Sequence, residues 1–361
     1  MKKIILISCF LMLLTGCNKA KDPEKTSSDQ ISIENKNAQF QCDQLTADMH
    51  KITIANKLED LEKINSRLKA CVKGSDNQQQ LEWVNDSTQM YDRFLYDASQ
   101  HTEDQNLALQ DYGYSLASED ENQKPSNKEN IKGDITLFKK LNPHDQYLIK
   151  NQGRAYIDFQ YIGEGIYRYR RNPQYLVDLV APSLPQDQRE FMERMAKDNQ
   201  EIFFNDGAIT VSWKEVIERA LFWESYIKKY PEGHFTEDAE SLFNSYKYFI
   251  FLGTANTPVS DDFNGVQSID KDALAEIKKL SQHKSTSLSE PAKAFLKFID
   301  MPTQKRNQEI KVEAVDAAGE VKHEYEITLD QLHQYLNLSS PWVEHDTAKD
   351  CYTDAICLDY N

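Results

Sequence analysis

Residues 212–253 read SWKEVIERALFWESYIKKYPEGHFTEDAESLFNSYKYFIFLG, and no other stretch limits the fold as tightly. Apolar side chains recur there with the 3.6-residue period of an amphipathic helix, and every boundary is punctuated as a helix end. Ser212 and Glu215 form an S-x-x-E capping box, in which hydroxyl and carboxylate each satisfy a backbone donor of the first turn. Pro231 cannot continue a helix, so the first one ends near Tyr230. The second starts at Thr236, where Glu237 and Asp238 suit the positive helix end, and stops near Leu252 before Gly253. Two such helices joined by a short linker predict a helical hairpin.

The rest of the chain extends this reading. Glycine and proline are scarce, 12 and 11 in 361 residues, whereas 18 Tyr and 16 Phe are available for a core. That balance favours a helical globular body over a disordered or all-β one. Residues 39–117 are predicted as a helical module. Within it Leu58, Leu61, Leu68 and Val72 line one face, and Leu81, Val84, Tyr91, Phe94, Leu95 and Ala98 line another. Residues 118–134, SEDENQKPSNKENIKGD, are polar and read as a linker. Residues 135–305 form the main helical domain, with further helices expected over 147–161, 187–203, 272–279 and 287–299. A second capping box is expected at Ser287 and Glu290. In residues 306–361 the period changes to two. Ile310, Val312 and Ala314, then Val321, Tyr325 and Ile327, flank the DAAGE turn as a β-hairpin. A short helix opening at Thr328 and an acidic tail complete the chain.

Ala220, Trp223, Tyr230-Pro231 and the Ala239…Phe243 spacing resemble the tetratricopeptide-like repeats of outer-membrane lipoproteins of the barrel-assembly and cell-division type. That resemblance covers about 40 residues and implies an irregular tetratricopeptide-like α-solenoid built from helical hairpins. Small residues let paired helices approach, and aromatics fill the groove between them. The fold class expected is thus mainly α, with one small C-terminal β-hairpin.

The N-terminus points to a compartment. Met1-Lys2-Lys3 precedes an apolar run over residues 4–14, far short of the roughly 20 residues of a spanning helix. Leu14-Thr15-Gly16-Cys17 then resembles the lipobox of bacterial lipoproteins. The resemblance implies removal of residues 1–16, acylation of Cys17 and insertion of its chains into a bilayer. Asn18, in place of aspartate, implies sorting to the outer membrane, facing the periplasm or displayed at the surface. Residues 17–38 are too polar to fold and read as a flexible tether.

In that compartment Cys42, Cys71, Cys351 and Cys357 are disulfide candidates. A single helix between Cys42 and Cys71 would hold them roughly 43 Å apart. Bonded cysteines need α-carbons about 5–7 Å apart, so the chain must fold back near Asn56 and Lys57. Cys351 and Cys357 would then close a small loop.

The net charge of −16 opposes binding to nucleic acid. YRYRRNPQY, residues 167–175, interleaves aromatic and cationic side chains. Tyr167, Arg168, Tyr169, Arg170 and Arg171, with Trp213 and Trp223, make a candidate groove for glycan or peptide; the competing reading is a local network with acidic neighbours. ALFWES, residues 220–225, is similar to the stretch around the catalytic glutamate of lytic transglycosylases. This would make Glu224 a general acid with a raised pKa, but the glycine-rich run that follows in that family is missing, and a helix-surface charge is expected instead. SDDFNG, residues 260–265, mimics half a calcium loop, yet Lys271 occupies the position of the bidentate glutamate, and a cap at Asp270 is expected. Neither a cofactor nor a metal is expected. The functional expectation is a non-catalytic interaction or scaffold protein of the envelope with a protein partner; the alternative is an enzyme or glycan-binding protein acting on peptidoglycan.

Overall fold

The computed structural model describes residues 41–96, 102–117, 132–342 and 349–359. The expected signal, Cys17, the whole of the tether and most of the 118–134 linker therefore lie outside the described residues. The chain divides into two units, Met1–Gln44 and Leu45–Asn361. The second is mainly helical, with small antiparallel strand pairs. Among the described residues no helix is long and apolar enough to cross a membrane.

Three helices open this unit: α1 (Leu45–His50), α2 (Leu58–Cys71) and α3 (Asn77–Leu95). The turn between α1 and α2 falls over residues 51–57, where the sequence places it. Asp76 caps α3 by accepting from the Gln79 backbone. Leu58, Leu61, Leu68 and Val72 are all buried, as are Val84, Tyr91, Phe94 and Leu95. Next come α4 (Glu103–Ala117) and α5 (Pro143–Lys150), the latter with Asn142 as cap and proline at its first position.

Residues 147–161 are not one helix. After α5, the left-handed Gly153 (φ 85°) turns the chain into strand β1 (Ile157–Tyr161). It pairs antiparallel with β2 (Tyr167–Arg171), Phe159 opposite Tyr169 and Gln160 opposite Arg168. YRYRR is thus a strand whose side chains alternate between faces. Phe159 and Tyr167 join Leu109, Tyr112, Phe138 and Leu141 in one buried cluster. Residues on both sides of 118–134 pack within this unit, since Tyr91 Oη donates to the Ala155 carbonyl at 2.5 Å.

Helices α6 (Gln174–Leu179) and α7 (Gln186–Asp198) lead to the small strands β3 (Phe204–Asn205) and β4 (Ala208–Ile209). The hairpin helices come next as α8 (Trp213–Lys229) and α9 (Thr236–Leu252), with Ser212 accepting from the Glu215 backbone. Ala220, Trp223 and Ala239 are fully buried in this hairpin. Gly253, at φ 76°, turns α9 into the strand pair β5 (Gly253–Thr254) and β6 (Thr257–Pro258). A second hairpin consists of α10 (Lys271–Ser281), capped by Asp270, and α11 (Ser289–Ile299). Helix α11 starts two residues later than expected: Leu288, not Ser287, stands at its cap position, without a side-chain cap, and the Ser287 N–H donates to Glu224.

Helix α12 (Thr303–Glu309) precedes a segment in which the expected β-hairpin shrinks to a single bridge, Val315 to Val321. Tyr325 and Ile327 belong instead to α13 (Glu324–Leu336), opened by a capping box between His323 and Glu326. Four residues earlier than Thr328, that box starts the helix and ends the alternation. The C-terminus forms β7 (Lys349–Asp350) and β8 (Leu358–Asp359), joined by a loop that the Cys351–Cys357 disulfide closes. Cys42 and Cys71 are also disulfide-bonded.

Candidate functional site

A cavity of about 750 Å³ opens on the face of β1 and β2 that points away from the buried cluster. Alternation along the strands builds that wall: Gln160 from β1, with Ile162 just beyond its end, and Arg168 and Arg170 from β2. The far wall is one side of α9, with Asp238, Ser241, Leu242, Asn244, Ser245 and Phe249. Phe203 and Phe204 form the floor, and residues 339–342 and 349–353 complete the rim.

The apolar part is an aromatic cluster. Tyr352 stacks on Phe203 with ring centres 5.5 Å apart and meets Phe204 edge-on at 4.8 Å. Trp342 contacts Phe204 and Phe249 yet remains 58% exposed. Exposure of that extent in the largest apolar side chain is unusual unless the surface has a use.

Most charged groups around the cavity are satisfied within the protein. Lys349 pairs with Asp238 at 2.8 Å. Asp350 accepts from the Tyr352 backbone and from Thr353 Oγ1. Arg170 donates to the carbonyls of Asn199, Gln200 and Thr353 and lies 3.8 Å from Asp158. Burial pushes the Arg170 pKa down, against the opposing pull of Asp158 and Asp354. In contrast, Gln160, Arg168, Glu237, Asn244 and Ser339 have side chains with no hydrogen bond or ion pair to another described residue.

The seven residues of the sequence-predicted groove separate here. Arg168 and Arg170 line the cavity. Tyr167 and Tyr169 lie on the other face of the sheet, both in contact with Phe159. Arg171 is buried in an ion pair with Asp354 at 2.9 Å, donates to Ser87 and Thr88, and sits 4.7 Å over the Tyr175 ring. Trp223 is fully buried against Phe191. Trp213, half-buried at the start of α8, does not line the cavity. The acidic-partner reading of the arginines thus describes Arg170 and Arg171. Phe204, Trp342 and Tyr352 escape a reading of the sequence, because their separation along the chain hides a cluster that only the fold assembles.

Glu224 is a correction: it is 6% exposed and no surface charge. Its carboxylate accepts from Thr286 Oγ1 and Ser287 N, each at 2.6 Å, and from Lys228 Nζ at 2.9 Å. Burial opposes its ionisation, but the hydrogen bonds from Ser287, Thr286 and Lys228 outweigh that and lower its pKa to about 2. A general acid needs the opposite shift. The calcium-like loop encloses a guanidinium: Arg306 donates to the Phe263 carbonyl at 2.9 Å and to Asn264 Oδ1 at 3.1 Å. Among the described residues no group of three His, Cys, Asp or Glu side chains is placed to hold a metal. Among its described residues the cavity offers aromatic surface and side-chain hydrogen-bonding groups. No protein family, curated protein or solved structure matches this chain.

Proposed function

We propose that this chain is an envelope lipoprotein, held at the outer membrane through acylated Cys17 and facing the periplasm, that works as a non-catalytic interaction or scaffold module. The anchor reading is supported by LTGC at residues 14–17 behind a short apolar run. Acyl chains on one cysteine supply the two or more insertions that stable anchoring requires. The tetratricopeptide-like reading is supported by two successive helical hairpins, α8–α9 and α10–α11, that pack on one another.

The observation that carries the binding role is the cavity between the β1–β2 sheet and α9. Its volume lies in the range of small-ligand and side-chain pockets, roughly 300–1,000 Å³. The test uses membranes from cells that make the chain. Cross-linking is expected to recover a specific envelope partner, and Phe204→Asp, which places a charge in the cavity floor, is expected to abolish that capture. Cys17→Ala is expected to yield unprocessed or soluble protein. A mature Cys17→Ala chain that stays in the membrane would overturn the anchor. Failure to capture a partner, combined with cleavage of peptidoglycan by the purified chain, would overturn the non-catalytic reading.

A further inference from the structure

The unspent groups of the cavity define what it can hold. Arg168 and Glu237 are its two charged side chains without partners, one of each sign, so the lining makes no net demand for a charged ligand. Gln160, Asn244 and Ser339 add uncharged donors and acceptors, each without a hydrogen bond to another described residue. Beside them Trp342 leans on Phe204 and Phe249 and leaves 58% of its surface open.

We infer that this cavity takes an uncharged pyranose chain, stacked on Trp342 and hydrogen-bonded around its rim by Gln160, Asn244 and Ser339. A pyranose ring has apolar faces and a polar circumference. It can cover an aromatic surface while exchanging water for side-chain hydrogen bonds, and both are required if displacing ordered water is not to cost affinity. An extended peptide is served less well. Gln160 and Arg168 are opposed across the two strands and both line the cavity, so the sheet offers it a side-chain face. Strand addition by a peptide needs a free edge.

This inference rests on the proposal that the cavity is the binding element, and the test separates the two. Isothermal calorimetry of the full mature chain with a soluble N-acetylglucosamine tetramer, and co-sedimentation with purified peptidoglycan, supply the readouts. Saccharide binding is expected, weakened at least tenfold by Trp342→Ala and several-fold by Asn244→Ala. Asn244 has no side-chain partner, so Asn244→Ala is expected to keep the parent melting temperature; Trp342→Ala gives up contacts with Phe204 and Phe249, and circular dichroism checks that it remains folded. Binding that survives Trp342→Ala unchanged would overturn the inference. So would heat released by short peptides and none by the saccharide. If cross-linking still recovers a protein partner in a Phe204-dependent way while the saccharide is inert, the inference falls and the interaction function stands.

Discussion

Three donors converge on the carboxylate of Glu224: a hydroxyl, a backbone N–H and an ammonium. They tie α8 to the turn between α10 and α11, so one side chain joins two hairpins. Its pKa in the fold, about 2, lies below the ordinary 4.5. The stability it contributes is therefore fully present above about pH 4.5 and lost as pH falls towards 2. Glu224→Gln is expected to cost about 2–3 kcal/mol near pH 7, measured by denaturant melts. The gap between variant and parent should narrow steadily as the pH is lowered from about 4.5 towards 2. A gap that stays constant over that range would show that charge on Glu224 is irrelevant. The sequence marks this glutamate for attention but misleads about its surroundings. Its partners Thr286 and Ser287 lie 62 and 63 residues away, and no local pattern carries that proximity.

Among the elements, α8 and α9 are legible nearly to the residue, because Ser212, Pro231 and Gly253 act locally on their own backbone. Gly253 shows the strength of such a marker. It stands at φ 76°, and a β-carbon there would collide with the Thr257 carbonyl oxygen. Gly253→Ala is expected to lower stability by about 1–3 kcal/mol, read as a fall in melting temperature. Replacing Gly74, which has open space and no left-handed backbone, should change it far less. The strands are harder to read. In residues 167–170 the tyrosines and arginines alternate as a strand should, but tyrosine and arginine also suit a helix face or a stacking network. Only the cluster of Leu109, Tyr112 and Phe138 decides which face is buried. Near residue 325 the error runs the other way, since a run of alternating apolar residues is overruled by the His323–Glu326 capping box. Local chemistry that satisfies backbone donors outweighs a weak two-residue period.

The whole unit depends on Arg171 and Asp354, paired in the interior with side chains 3% and 6% exposed. Asp354→Asn is expected to cost about 3–5 kcal/mol, because it leaves a guanidinium buried without its counter-charge. The double change Arg171→Met with Asp354→Leu should recover much of that loss, since apolar pairs of similar size often replace buried ion pairs without penalty. Chemical denaturation of the parent, the single variant and the double variant checks both statements. The same loop carries Tyr352 into the cavity, so Asp354→Asn should also weaken ligand capture, whereas Glu224→Gln should not. This long-range dependence leaves no mark in the sequence. Asp354 reads as one more acid in an acidic tail, and its role comes from Asn199, which donates to the carbonyls of Cys351 and Asp354 and docks the loop.

That docking imposes an order in time. A chain made from its N-terminus delivers Arg171 long before the carboxylate that neutralises it, 183 residues later. Until Asp354 arrives, Arg171 is a cation without the counter-charge it has in the interior of the fold. A stop codon at Lys349 should therefore behave as damage at the centre of the molecule, leaving a product that is digested by protease along much of its length. A truncated product as protease-resistant as the full chain would show that the centre forms without its final residues.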